Sequence, residues 1–325
     1  MLVAAVILLA FLKPGSAGAA GGGGIVSHSL DTSGSGITPS EMRRAEPLEL
    51  PTVSAGTAPR QAEAPESTGK PHYVEGTKPV GAAAGAATAA VGASARGFGK
   101  FTSNAVPDPT VFPNTANGKI FGKIKGVGQY TCSASVVHGK NESTLFTAGH
   151  CVKEPGEPYP SKLVFVPAYT EGNAPLGIWK AKTVFTQRAW LAGNINYDYA
   201  AVVVKPNGGQ TLESIAGSKG FAADVPVKKK SLHAVGYPFN KNRTETMWEC
   251  RGKFGGYDPG YRKPGPKPIG FGCDMKSGAS GGGWTIPGDY LASVTSFSYD
   301  QLPNHLFGPH FTKAADKMRK RAGRE

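Results

Sequence analysis

From about residue 113 the chain alternates short apolar runs with turn residues. β-Branched and aromatic side chains gather at 119–124, 131–138, 144–147, 162–166, 199–204, 231–235 and 291–297, and Gly, Pro, Asn and Asp punctuate the intervals. Runs this short and this regularly interrupted read as the strands of an all-β sandwich or barrel. About 200 residues of such pattern are large for one sandwich and comfortable for two small barrels. One segment, 312–322, reads as a helix that is basic on most faces and ends near Gly323.

The chain before this region has a different character. Residues 2–12 form an unbroken apolar run, followed by Ala17-Gly18-Ala19. The run suits the apolar stretch of a signal peptide, the three small residues suit its cleavage site, and the length is too short to span a bilayer. The basic residues expected ahead of such a run are missing, since Lys13 follows it, and a short buried helix is the competing reading. From about 20 to 104 Gly, Ala, Ser, Thr and Pro dominate, with low-complexity runs at 21–24 and 81–97. Such composition buries too little apolar surface to offset the entropy of ordering, so disorder is expected. The organisation is therefore a signal peptide at 1–19, a propeptide or linker at 20–112 and a folded domain at 113–325.

A net charge of +13 points to anionic contacts such as cell-wall or surface polymers. A solvated basic surface explains it as well, because Lys228 to Lys230 and the tail from Lys317 to Arg324 carry much of the excess. No nucleic-acid-binding module is recognisable. The four cysteines fall as Cys132 with Cys151 and Cys250 with Cys273, although four allow three connectivities. No C-x-x-C spacing exists, so neither a zinc ribbon nor a thioredoxin-like redox site is expected, and the reading calls for no metal and no cofactor.

Three short segments carry candidate chemistry. In Ser277-Gly278-Ala279-Ser280-Gly281-Gly282-Gly283-Trp284, small residues crowd around one hydroxyl. A nucleophilic serine needs such surroundings, because substrate backbone must approach closely and the amides of Gly278 and Ser280 must turn toward an oxyanion. A flexible Gly/Ser turn would look the same. His150 follows the small residues Thr147-Ala148-Gly149 and precedes Cys151, at the end of an apolar strand. Asp198 stands just before the apolar run 199–204, where an ordinary turn residue would also fit. Together they supply a nucleophile, a base and a carboxylate that fixes the base.

These residues occur in the order His, Asp, Ser, and over 118–312 the chain resembles the trypsin/chymotrypsin superfamily of serine proteases. The likeness is greatest to its secreted bacterial members, the glutamyl endopeptidase branch included. Thr147-Ala148-Gly149-His150-Cys151, Asp198-Tyr199-Ala200 and Gly278-x-Ser280-Gly281-Gly282 are similar to the family's three motifs. Cys132 to Val137, Gly236-Tyr237-Pro238 and Gly308-Pro309 support the match. The resemblance implies two six-stranded antiparallel β-barrels, with His150 and Asp198 on the first and Ser280 on the second. It implies a catalytic triad acting through an acyl-enzyme, protein or peptide substrates, and a secreted monomer. It also implies the disulfides Cys132–Cys151 and Cys250–Cys273.

For specificity the resemblance implies a pocket strand at Thr295, Ser296 and Ser298, with the Ser296 hydroxyl on Asp198. Asp274, six residues before Ser280, matches the acid that binds Lys or Arg in trypsin-type enzymes, though Lys276 could neutralise it. Glutamyl endopeptidases carry a His where this chain has Thr295. Cleavage after a basic or mixed set of residues is therefore expected. Ala279 replaces the Asp that trypsin-type zymogens keep before the nucleophile, so activation through an ion pair there is not expected. The competing class is a catalytically inactive homologue that acts as a secreted binding or cell-surface protein.

Overall fold

The structure, a computed structural model, describes residues 24–33, 36–53, 69–81, 102–260 and 263–325. The expected signal peptide and most of both low-complexity runs lie outside them. Twelve strands build the frame. The first six are β1 (Asn117–Ile124), β2 (Gly128–Val136), β3 (Thr144–Thr147), β4 (Lys162–Pro167), β5 (Trp179–Gln187) and β6 (Ala200–Val204). They pair antiparallel in the order β1-β2-β3-β6-β5-β4, and β4 returns to β1, which closes a six-stranded barrel.

The second six are β7 (Ser231–Gly236), β8 (Trp248–Lys253), β9 (Ile269–Gly272), β10 (Gly283–Ile286), β11 (Tyr290–Val294) and β12 (His305–Gly308). Their spatial order repeats that of the first set, but the ladder is broken at two seams. Strands β8-β7-β10-β11 form one antiparallel path, and β9-β12 form another. Between β8 and β9 the link is the Cys250–Cys273 disulfide, a Gly255 N–H bond to the Gly270 carbonyl at 2.8 Å, and the two-residue strand Gly256–Tyr257, which follows β8 and pairs antiparallel with β9. Between β11 and β12 it is the single bridge of Phe297 with Phe307. Extra pieces add parallel pairings to the antiparallel frame, notably Gly220–Ala223 beside β11.

Strand β6 shows why the pattern folds this way. Ala200, Val202 and Val204 face the core of the first barrel, while Ala201 and Val203 face a second apolar cluster. Both faces are buried, so the run is apolar throughout rather than alternating. The second cluster includes Phe146, Phe221, Leu291 and Phe311 and the helix α1 (Lys313–Ala322), which packs where the two barrels meet. The helix carries basic residues, yet it buries Ala315, Met318 and Ala322. Arg319 is buried with them because Asp316 pairs with it at 2.9 Å and the His138 carbonyl accepts from it at 2.8 Å.

The N-terminal segments refine the expectation of disorder. Ile25–Ser29 pairs antiparallel with β5, along the stretch that β4 leaves open. His72–Val74 pairs with Gly220–Ala223, and Asn104–Ala105 pairs with β8. Leu30, Ile37, Met42 and Leu50 are buried in the barrel clusters. Scattered apolar residues in a polar, proline-rich stretch therefore find partners on the barrels that they cannot find on one another.

Because the β8–β9 seam has a disulfide where a ladder would run, replacing both Cys250 and Cys273 with Ser should lower stability by about 3 kcal/mol. Guanidinium unfolding checks this against the unsubstituted protein.

Candidate active site

Strand register brings the distant motifs together. In the antiparallel pair β3–β6, Thr147 lies opposite Ala200. His150 three residues after Thr147 and Asp198 two residues before Ala200 thus fall at one end of the first barrel. In β10–β11, Gly283 lies opposite Val294. Ser280 before the first strand and Ser296 after the second then share one end of the second barrel. The two ends meet: the Ser133 amide donates to the Ser280 carbonyl at 2.8 Å. A Cβ added at Gly281 would lie 2.0 Å from Thr147 Oγ1, next to the histidine turn.

Asp198 is fully buried and receives three hydrogen bonds. The His150 amide donates to Oδ1 at 2.8 Å, His150 Nδ1 contacts Oδ2 at 2.7 Å, and the Ser296 hydroxyl donates to Oδ2 at 2.6 Å. A carboxylate accepts only, so Nδ1 carries the proton and Nε2 presents a lone pair. His150 Nε2 and Ser280 Oγ are both buried, and neither makes a hydrogen bond among the described residues. Gly149 must be glycine, because a Cβ there would lie 2.7 Å from the Trp190 ring and 2.9 Å from Asp198 Oδ1. The Cys132–Cys151 disulfide ties the turn to β2, and Tyr130 donates its hydroxyl to the Cys151 carbonyl at 2.6 Å. The imidazole has one orientation.

Burial works against a charged His150, but the charge and hydrogen bond of Asp198 outweigh it and hold the pKa above the ordinary 6.5. A raised folded-state pKa means that the pair adds stability below the unfolded value, and that this part is lost as pH rises through the folded value.

Gly278 has φ +88°, and a Cβ there would meet the Tyr237 carbonyl at 2.5 Å. Its amide donates to the Leu48 carbonyl at 3.2 Å. Ser133 was missed as a site residue, although it stands beside Cys132 in a strand motif that matches the family. Its hydroxyl donates to the Gly278 carbonyl at 2.8 Å and accepts from the Tyr237 amide at 2.9 Å, which holds the serine turn in shape. Its place in that motif was the available signal, since Thr131 and Ser135 on the same strand are buried hydroxyls too.

A cavity of about 250 Å³ opens beside the serine turn, and Asp274, Lys276, Ser298, Tyr299 and His305 are among the residues that line it. The Asp274 carboxylate is engaged elsewhere. Lys241 pairs with Oδ2 at 2.9 Å and the Ser103 amide donates to Oδ1 at 2.7 Å. Burial opposes its ionisation, yet these hydrogen bonds hold it below the usual carboxylate range. The cation that neutralises Asp274 is thus Lys241, not the neighbouring Lys276. The Thr295 hydroxyl accepts from the Trp284 indole N–H at 2.8 Å and serves to fix the strand. Ala279 is buried in the core of the second barrel.

No family model matches the chain. Among curated proteins, an extracellular metalloprotease of Bacillus subtilis (strain 168) is 26% identical over 145 residues. That match spans 44% of this chain and 44% of the relative, less than half of its length. Cys132, His150 and Cys151 do bring three possible ligand atoms within 4.8 Å. Both sulfurs are consumed in the disulfide and Nδ1 is bound to Asp198, so this set does not fit a metal.

Solved structures match more fully. The protease Anisep of Arthrobacter nicotinovorans is 32% identical, with a TM-score of 0.58 over 65% of this chain and 96% of that one. A thermostable serine protease, AL20, from an extremophilic microorganism is 31% identical, with a TM-score of 0.58 over 65% of this chain and 97% of that one. A Glu endopeptidase shares the fold at 18% identity, with a TM-score of 0.57 over 69% of this chain and 97% of that one.

In NMR titrations the His150 ring should protonate above pH 6.5. Asp198→Asn should move that midpoint below 6.5, since burial, the largest influence on the imidazole, is then opposed only by the weaker charge of Glu154. An unchanged midpoint would separate the ring from the carboxylate.

Proposed function

The chain belongs to the trypsin/chymotrypsin superfamily of serine proteases, among its bacterial members, and from that membership we propose that it is an exported endopeptidase with His150, Asp198 and Ser280 as its triad. The observation that carries this reading is the buried His150–Asp198 pair, fixed through both the ring and the amide of His150. An imidazole so held has its free lone pair on Nε2, where a general base needs it.

In the proposed reaction Ser280 Oγ attacks the carbonyl carbon of a peptide bond while His150 Nε2 takes the hydroxyl proton. Asp198 stabilises the imidazolium without itself being protonated. The amides of Gly278 and Ser280 receive the oxyanion. Collapse of the tetrahedral intermediate breaks the C–N bond, and the imidazolium gives its proton to the leaving amine. Water activated by the same imidazole then attacks the acyl-enzyme, releasing the acid and restoring Ser280. The Ser133 clasp supports the reading, because it holds the carbonyl of Gly278 and so fixes which way the neighbouring amides point.

Export is supported by the apolar N-terminal run and by four cysteines that all pair as disulfides. Protein or peptide substrates follow from the triad, and the +13 charge allows adhesion to anionic polymers. The preference for Lys or Arg loses its main support, since Asp274 is neutralised by Lys241. A mixed set of residues fits the pocket better.

A fluorophosphonate should label the protein, and Ser280→Ala should abolish the label and lower kcat by about 10⁴-fold or more. Equal labelling of both proteins would remove Ser280 as nucleophile. Activity should fall as pH drops through the raised His150 pKa, because protonation removes the base. Lys241→Ala should free the Asp274 charge and raise cleavage after Lys or Arg by about tenfold relative to other residues, the effect of one contact of about 1.4 kcal/mol. Profiling both forms against a peptide library reads this directly.

A further inference from the structure

The site described above is crossed by a segment of the chain's own N-terminal region. Glu46–Pro47 lies parallel to β2 at Tyr130 and Thr131, on the first barrel. The Leu48 amide donates to the Thr131 carbonyl at 3.0 Å, and the Leu48 carbonyl accepts from Gly278 N–H at 3.2 Å. The Leu50 amide then reaches Ser277 Oγ at 3.3 Å, and the Ser277 hydroxyl donates to Glu49 Oε2 at 2.9 Å. The Pro51 carbonyl accepts from Ser298 N–H at 3.0 Å, and Thr52–Val53 continues parallel to Ser298–Tyr299 on the second barrel.

We propose that residues 46–53 are a built-in inhibitor, a strap that occupies the main-chain sites of a peptide substrate and must be displaced for the enzyme to act. The proposal rests on the serine endopeptidase reading and adds its regulation. Two groups that reading requires are already engaged. The Gly278 amide, a donor for the oxyanion, holds Leu48. The Ser298 amide, on the strand expected to bind substrate backbone, holds Pro51.

The sequence of the strap suits the task. A residue before proline is confined to extended backbone, and Pro47 and Pro51 impose this on Glu46 and Leu50. Less entropy is then lost on docking. Leu50 is the anchor: it is buried in the apolar cluster of the second barrel with Cys273 and Met275, and it forms part of the cavity wall. Glu49 stays exposed and is held by one serine. One buried anchor, the half-buried Leu48 and Val53, and a few backbone hydrogen bonds make a contact that can open. Ala279 agrees with this device, since it offers no carboxylate for a freed N-terminus and leaves the switch to another element.

The test uses the full chain with Leu48→Pro and Leu50→Asp together, which removes the amide on Thr131 and the apolar anchor. Circular dichroism establishes that the variant is folded, and Glu49→Ala, which touches no buried contact, serves as a milder second variant. Fluorophosphonate should label the double variant about tenfold faster than the unsubstituted protein, or more, and Glu49→Ala should fall between them. A synthetic peptide of residues 46–53 should slow the double variant again and leave the unsubstituted protein unaffected. Equal labelling rates, or a faster variant on which the peptide has no effect, would overturn the strap. If neither protein labels, the protease reading fails on its own. The strap is then judged by a fluorescent form of the peptide: binding to the double variant alone upholds it, and no binding overturns it.

Discussion

The buried carboxylate of Asp198 is the constraint on which the rest of the site depends. With no exposure to water, its charge must be met by protein donors or the fold would lose several kcal/mol. Three donors meet it, and they come from separate places: the His150 amide, the His150 ring and the Ser296 hydroxyl. The first two belong to the first barrel and the third to the second. Satisfying one carboxylate therefore fixes the ring, the turn that carries it and the relation between the barrels.

That relation is reinforced at the serine turn. Ser133, on β2 of the first barrel, holds the Gly278 carbonyl and accepts the Tyr237 amide, while Thr147 donates to the Ser133 carbonyl at 2.8 Å. Glycine at 281 lets the turn approach these groups. On the far side, α1 and Phe146, Phe221 and Phe311 fill the space between the barrels with apolar contacts. Polar contacts orient the site and apolar packing holds the barrels together, a division that follows from the directionality of hydrogen bonds and its absence in hydrophobic burial.

The N-terminal region makes use of what the barrels leave open. Ile25–Ser29 covers the part of β5 that β4 does not reach, and His72–Val74 covers Gly220–Ala223. Unpaired strand edges carry orphan backbone groups, so a chain that passes over them is captured by pairing even with little apolar content. Residues 46–53 follow the same logic beside the serine turn, where they pair with β2 and with Ser298–Tyr299. In the proposed strap, edge protection and occupation of the substrate sites are one physical event.

Local residues determined seven of the twelve frame strands, the histidine, aspartate and serine motifs and the span of α1, because period, turn chemistry and small residues around reactive groups are written in neighbouring positions. Strands β5, β8, β9, β10 and β12, with their glycines and charged residues, did not stand out as apolar runs. Asp198 and Ser296 were legible as partners only through family likeness, and the tertiary structure gave that contact its distance. The structure alone decided three matters. It gave Asp274 to Lys241, 33 residues away, instead of to Lys276, the next residue but one. It split the second barrel at two seams, and it laid residues 46–53 across the serine turn. Each of these depends on which groups meet after the chain has folded. The free energy of such a meeting comes from desolvation and from pairing across long sequence separations, and no local window of sequence contains either.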